Sequence, residues 1–121
     1  MSAALTIDCS NTIVYCSRWR ECVAFYRHGI GLEVVFENDW FVEFALNSTS
    51  RLSVADARRA SIESADGRGI TLTFKVRNIT VAHRVLRERG LSPGKVEKHA
   101  WCAEVFYLRD PDGNRIEFWS G

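Results

Sequence analysis

One succession of strand and helix patterns occurs twice in this chain, and the second copy begins 60 residues after the first. The first copy opens with an alternating strand-type run at 11–16, followed by a helix pattern for which Ser17 is the candidate N-cap. The second opens with a similar run at 71–76, followed by a helix pattern capped by Asn78. Three more strand-type runs follow each helix, so each copy is predicted to be a βαβββ unit. Repeats of this kind normally share a core, because one unit cannot bury its apolar face alone.

The repeat predicts one domain over residues 1–121, made of a first module at 1–56 and a second module at 70–121. The polar stretch 56–69 is interpreted as a linker with room for a short helical turn. The predicted fold class is α+β, with the two βαβββ modules forming a cupped mixed sheet around a groove. The alternative is an open α+β sheet with one solvated face, which explains each strand but not the repetition.

The last hairpin carries the clearest turn signal in the chain, Asp110-Pro-Asp-Gly-Asn114. Asp110 can accept hydrogen bonds from the amides ahead of it, and Gly113 takes a positive φ at little cost. After the turn, Ile116 alternates with Glu117, so the carboxylate lies mid-strand on the face opposite the core. That position suits a solvent-facing strand or the wall of a binding cleft, and both interpretations stay open at this point.

Composition excludes several classes of function. The 16 basic and 15 acidic residues give a formal charge of +1, which argues against a general nucleic-acid-binding protein. No apolar run approaches the length of a membrane-spanning helix, and the first residues lack the pattern of a signal peptide. The four cysteines show no C-x-x-C spacing, so buried thiols are expected rather than disulfides or zinc. We therefore expect a cytoplasmic protein with no nucleic-acid or membrane partner.

Several segments together resemble the vicinal oxygen chelate superfamily, which contains glyoxalase I, extradiol dioxygenases, methylmalonyl-CoA epimerase and the bleomycin resistance proteins. The matching segments are Ala24-Phe-Tyr26 followed by Gly31-Leu32, then Phe74-Lys-Val-Arg-Asn78, and Trp101 with the run VFYLRDPDGNRIEF at 105–118. With the duplicated unit, the resemblance covers nearly the whole chain and implies the glyoxalase/bleomycin-resistance type of fold.

Enzymes of this family hold a divalent metal with four side chains, typically His or Gln on the first strand of each module and Glu on the last. The resemblance places those positions at Asn11, Ser53, Thr71 and Glu117. Only Glu117 fits, since Asn, Ser and Thr are weak neutral donors for a divalent ion. We therefore predict no metal and no other cofactor. The alternative is a glyoxalase-, isomerase- or dioxygenase-like enzyme that uses a divalent metal through unconventional ligands, or Glu117 as a base.

The leading hypothesis is a metal-free, homodimeric protein that binds a small molecule, similar to the bleomycin resistance proteins. The resemblance suggests sequestration of an antibiotic or toxin as its purpose. Aromatic faces would enclose the ligand while Glu117 and neutral polar groups orient it. The predicted groove is lined by Asn11, Tyr15, Ser53, Thr71, Thr73, Trp101, Glu117 and Trp119. A second alternative is a regulatory or scaffolding domain whose groove is filled by its own side chains.

Overall fold

Two four-stranded mixed sheets form the framework of the molecule. The computed structural model describes residues 4–99 and 103–121. Sheet A has the order β1-β4-β3-β2 and consists of β1 (Ser10–Cys16), β2 (Glu33–Glu37), β3 (Phe41–Asn47) and β4 (Ser50–Asp56). Sheet B has the order β5-β8-β7-β6 and consists of β5 (Thr71–Lys75), β6 (Glu97–Lys98), β7 (Glu104–Arg109) and β8 (Arg115–Ser120). The predicted α+β class and its two βαβββ units are confirmed.

The first and last strands of each unit lie side by side. β1 pairs with β4 and β5 pairs with β8, both in parallel, while the other neighbours are antiparallel. This arrangement leaves β1 and β5 at one edge of their sheets and puts the strands β4 and β8 inside. Side chains of the second unit that face away from the core therefore come from β5, β7 and β8 in register.

The helices cover one face of each sheet. They are α1 (Trp19–Ala24), which continues as a π-helical turn (Phe25–Ile30), α2 (Ala57–Ala60) and α3 (Ile79–Glu88). Asn78 caps α3 as predicted, because its side-chain oxygen accepts a hydrogen bond from the Val81 amide at 3.0 Å. None of these helices, within residues 4–99 and 103–121, has the length and apolar character needed to cross a membrane.

The predicted N-cap at Ser17 is wrong. The residue at the N-cap position is Arg18, and its side chain makes no capping bond. The amides of Ser17 and Arg18 instead donate to the Asp112 carboxylate, at 2.9 and 2.8 Å. A side chain from the last hairpin thus holds the backbone amides of the two residues that precede α1.

The predicted turn of that hairpin is confirmed. Asp110 Oδ1 accepts hydrogen bonds from the amides of Asp112 and Asn114, both at 2.9 Å, and Gly113 has φ of 92°. Asp110 Oδ2 accepts from the Asn114 side chain at 2.8 Å and from the Tyr26 hydroxyl at 2.6 Å. Burial raises the pKa of Tyr26, and the charge of Asp110 raises it further. The buried Tyr26–Asp110 bond joins the helix of the first unit to the turn of the second.

Alternate residues of β1, β3 and β8 enter the hydrophobic core, whereas β4 is buried at five consecutive residues, 52–56. The largest fully buried side chains of the core include Tyr26, Phe44, Leu52, Phe106 and Ile116. Trp19 packs against this cluster, and its indole Nε1 donates to the carbonyl of Val54 at 2.9 Å. The faces of the strands that point away from this core are left to carry the polar groups considered next.

Candidate functional site

Glu117 lies at the centre of a polar group on sheet B. The register places it between Thr73 on β5 and Tyr107 on β7. Its Oε1 accepts a hydrogen bond from Thr73 Oγ1 at 2.6 Å, and its Oε2 accepts one from the Tyr107 hydroxyl at 3.0 Å. Each carboxylate oxygen of Glu117 is therefore fixed by a neutral hydroxyl on a neighbouring strand.

Tyr107 is a site residue that the sequence analysis missed. Its hydrogen bond to Glu117, its burial and the negative charge of Glu117 raise the pKa of Tyr107, while the nearby Arg115 charge opposes that shift. Arg115 lies over the aromatic ring, with its Cζ 4.9 Å from the centroid. Tyr107 therefore stays protonated and donates to Glu117 at neutral pH.

Two further contacts complete the polar face of sheet B. The Nε of Arg115 donates to Thr71 Oγ1 at 3.0 Å, and Lys75 Nζ lies 5.1 Å from the ring centroid of Trp119. Four predicted groove residues therefore share this face; they are Thr71, Thr73, Glu117 and Trp119. The face also carries two basic side chains, Arg115 next to Thr71 and Lys75 next to Trp119.

The predicted groove residues of the first unit lie on sheet A. Asn11 and Ser53 are joined by a bond of 2.8 Å from the serine hydroxyl to Asn11 Oδ1, and Ser53 is fully buried. Tyr15 is half-buried on the same strand as Asn11. No hydrogen bond in residues 4–99 or 103–121 joins this group to the Glu117 group. The predicted contribution of Trp101 lies outside the described residues.

A cavity of about 630 Å³ lies beside the open edge of β5. Thr71 and Thr73 border it, together with Arg51 and Lys75, whereas Ser53 and Glu117 do not. Apolar side chains from both units form much of its wall, among them Leu46, Leu52, Leu72, Phe74, Val76 and Phe118. Its volume falls within the range of roughly 300–1,000 Å³ typical of small-molecule sites.

The four positions that the family resemblance assigns to metal ligands do not fit a divalent ion. Asn11 and Ser53 bond to each other, and Thr71 accepts from the positively charged Arg115. The Nε of Arg115 lies 3.0 Å from Thr71 Oγ1, and a guanidinium so close would repel a bound cation. Neutral amide and hydroxyl oxygens compensate a divalent charge poorly. Glu117 alone supplies a charged donor, and both of its oxygens already accept hydrogen bonds.

A second cluster with metal-type donors lies in the core. Cys16, Cys22 and Asp110 are buried, with donor atoms within 4.8 Å of one another. The hydrogen bond with Cys22 and the burial of the site raise the pKa of Cys16, so the thiol stays protonated. Asp110 already accepts four hydrogen bonds. These three side chains pack together in the core, where Asp110 joins the turn to Tyr26.

The stretch of chain that runs from β1 to β8 matches a known family. The chain matches the family model of the Glyoxalase/Bleomycin resistance protein/Dioxygenase superfamily over residues 10–118. It belongs to that superfamily. A curated relative, the uncharacterized protein YraH of Bacillus subtilis (strain 168), is 26% identical over an alignment 115 residues long, and the alignment covers 84% of this chain and 88% of that protein.

Solved structures of this superfamily share the fold. A glyoxalase/bleomycin resistance protein/dioxygenase from Nocardioides superposes with a TM-score of 0.79 at 20% identity, covering 99% of this chain and 85% of that chain. A lactoylglutathione lyase from Agrobacterium tumefaciens superposes with a TM-score of 0.75 at 20% identity, covering 93% and 92% of the two chains. At these identities the likeness shows the fold alone, so the function of this superfamily member depends on its own side chains.

Proposed function

We propose that this superfamily member is a cytoplasmic, homodimeric protein that binds a small molecule without a divalent metal. The observation that carries the proposal is the way Glu117 is held. Hydroxyls of Thr73 and Tyr107 occupy its two oxygens, and the cation of Arg115 lies next to Thr71, another of the presumed metal positions. The arrangement favours a polar face that orients an organic ligand over one that chelates an ion.

The volume and composition of the neighbouring cavity support this proposal. Its apolar wall can bury the carbon skeleton of a ligand, and Thr71 and Thr73 belong both to that wall and to the Glu117 face. Burial of apolar surface contributes about 25 cal/mol for each Å² removed from water. Apolar burial in the cavity would thus supply affinity, and the polar face would supply orientation.

The proposed homodimer would bring further surface to the site. Among the predicted groove residues that the structure describes, Asn11 and Ser53 bond to each other alone, and Glu117 bonds within sheet B. A second copy of the chain could place its sheet A face opposite the sheet B face of the first. Light scattering after size exclusion tests this part, and a monomer at micromolar concentration contradicts it.

The experiment that tests the proposal has two measurements. Elemental analysis of protein purified without chelators should find less than stoichiometric transition metal. A panel of aromatic and amphipathic compounds should quench tryptophan fluorescence saturably, and Glu117→Gln should weaken that binding while the exposed control Glu33→Gln does not. A stoichiometric metal that is lost in Glu117→Gln, or no binding across the panel, overturns the proposal.

The Tyr107–Glu117 pair favours one second candidate, a metal-free isomerase in which Glu117 removes a proton next to a carbonyl group. A positioned carboxylate with a hydroxyl partner is suited to general base catalysis. Deuterium exchange at the acidic C–H of simple ketones and aldehydes, followed by NMR in D₂O, tests this. Exchange that disappears in Glu117→Gln and slows in Tyr107→Phe supports the enzyme; no exchange above that of buffer excludes it.

A further inference from the structure

Two arginines lie directly opposite each other at the end of the last hairpin. The register pairs Arg109 on β7 with Arg115 on β8. Like charges at directly opposed positions of an antiparallel pair destabilise the sheet. In the parts of the chain that are described, neither guanidinium lies within 4.0 Å of a carboxylate, although six other arginines have such a partner.

Neutral oxygens hold both side chains in place. An Nη of Arg109 donates to the carbonyl of Gly113 at 2.7 Å, and the Nε of Arg115 donates to Thr71 Oγ1 at 3.0 Å. A guanidinium has five N–H donors, so most of the donors and the full charge of each arginine remain available. Stacking of Arg115 on Tyr107 further fixes its plane.

Both arginines line a small cavity of about 340 Å³ whose other walls are Thr71, Ile70 and the glycine-containing loop at 67–69. The loop lies close to the hairpin turn: a Cβ added to Gly67 would lie only 1.9 Å from the Gly113 carbonyl oxygen. That carbonyl is the one that binds Arg109. The cavity is therefore bounded by positioned cations and a hydroxyl, and it has room for a small charged group.

We propose that this cavity binds the oxyanion group, a phosphate or a carboxylate, of the protein's ligand between Arg109 and Arg115. This inference rests on the proposed small-molecule-binding function and names the charge of the ligand. Paired guanidinium groups match the geometry of carboxylate and phosphate oxygens, and an anion between them removes the repulsion across the hairpin. Thr71 connects this cavity to the larger apolar one, so the rest of an amphipathic anion can extend along β5.

Calorimetric titration of the full chain tests the inference with five probes: inorganic phosphate, phenyl phosphate, acetate, benzoate and benzamide. We expect the aromatic anions to bind more tightly than benzamide, their neutral counterpart. The double variant Arg109→Gln/Arg115→Gln should weaken binding of the anions by tenfold or more and weaken binding of benzamide by a much smaller factor. The control Arg20→Gln/Arg84→Gln removes the same net charge elsewhere and should bind all probes like the parent chain.

The outcomes separate the two proposals. If benzamide binds but the affinity of every anion is the same in the parent chain and in the double variant, only the oxyanion inference is overturned. If no probe of any charge binds, the proposed function fails with it. A ratio of affinities between phenyl phosphate and benzoate identifies which oxyanion the cavity prefers. If circular dichroism shows that the double variant is unfolded, the single variant Arg109→Gln, at an exposed position, is used for the same titrations. An anion affinity equal to that of the parent chain then overturns the inference.

Discussion

Asp112 offers the sharpest test of how the two halves are held together. Its Oδ2 accepts from the Ser17 amide and the Ser64 hydroxyl, and its Oδ1 accepts from the Arg18 amide. The residue is only 8% exposed, so solvent screens these bonds little. One carboxylate of the last hairpin thus holds the start of α1 and the linker.

The variant Asp112→Asn keeps the shape of the side chain and removes its charge. With the amide oxygen facing Ser17 and Ser64, the new NH₂ group meets the Arg18 N–H, so a donor faces a donor. Losing one charge-assisted bond at about 1.5–3 kcal/mol, and weakening two others, predicts a loss of about 2–4 kcal/mol in the free energy of unfolding. That is a large share of the stability of a typical single domain.

Urea unfolding followed by tryptophan fluorescence and circular dichroism measures this loss at pH 7. The control is Asp39→Asn, since the Asp39 side chain is 78% exposed and its ion pair is with Arg59, itself 56% exposed. That control should change stability by less than about 0.5 kcal/mol. A difference between the two variants below about 0.5 kcal/mol would falsify the inference that Asp112 anchors these segments.

The stabilising effect of Asp112 on the folded state should depend on pH. Burial of Asp112 opposes its ionisation, but the bonds from Ser64, Arg18 and Ser17 outweigh burial and lower its pKa in the folded state. Unfolding therefore takes up a proton in acid, and the contribution of Asp112 is complete above the unfolded value of about 3.9. It is lost as pH falls below that value through the folded-state pKa. The stability gap between the parent chain and Asp112→Asn should accordingly shrink between pH 7 and pH 3, and a constant gap contradicts this account.

Two further substitutions test the packing around the last hairpin. Tyr26→Phe removes the 2.6 Å bond to Asp110 and leaves a buried carboxylate with one donor fewer, so unfolding free energy should fall by roughly 1.5–3 kcal/mol in the same urea assay. A loss below about 0.5 kcal/mol argues against that bond. Gly67→Ala adds a Cβ 1.9 Å from the Gly113 oxygen, whereas Gly69→Ala, with nearly the same φ, meets nothing within 4 Å. Gly67→Ala should therefore be the less stable of the two by at least about 1 kcal/mol, and equal stability would show that the loop does not approach the turn.

The strands and the hairpin turn could be predicted because their causes are local. Alternation sorts the side chains of 71–76 into two faces, and each residue of the turn from Asp110 to Gly113 has a conformational preference that the turn uses. The pairing of Tyr107 with Glu117 also had a signal. Counting outward from the turn pairs 109 with 115 and 107 with 117, as the register shows.

Contacts between segments far apart in the chain could not be predicted from any local sequence pattern. Ser17 has the residue type of an N-cap, but Arg18 takes that position and the amide of Ser17 donates to a carboxylate 95 residues away. The hydroxyl of Tyr26 finds Asp110 across 84 residues. Which buried polar groups pair depends on how the two units pack, and single-sequence patterns describe each unit separately.

The parallel pairing of first and last strands has a consequence for synthesis of the chain. Ser10 pairs with Ser50 and Thr71 pairs with Arg115, so the partners lie 40 and 44 residues apart. A nascent chain emerging from the ribosome must hold β1 without its neighbour until β4 appears, and β5 without its neighbour until β8 appears. Pairings with such sequence separation form slowly, because loop closure precedes any gain in contacts. During translation, the pairing edges of β1 and β5 therefore stay exposed while about 40 further residues are made.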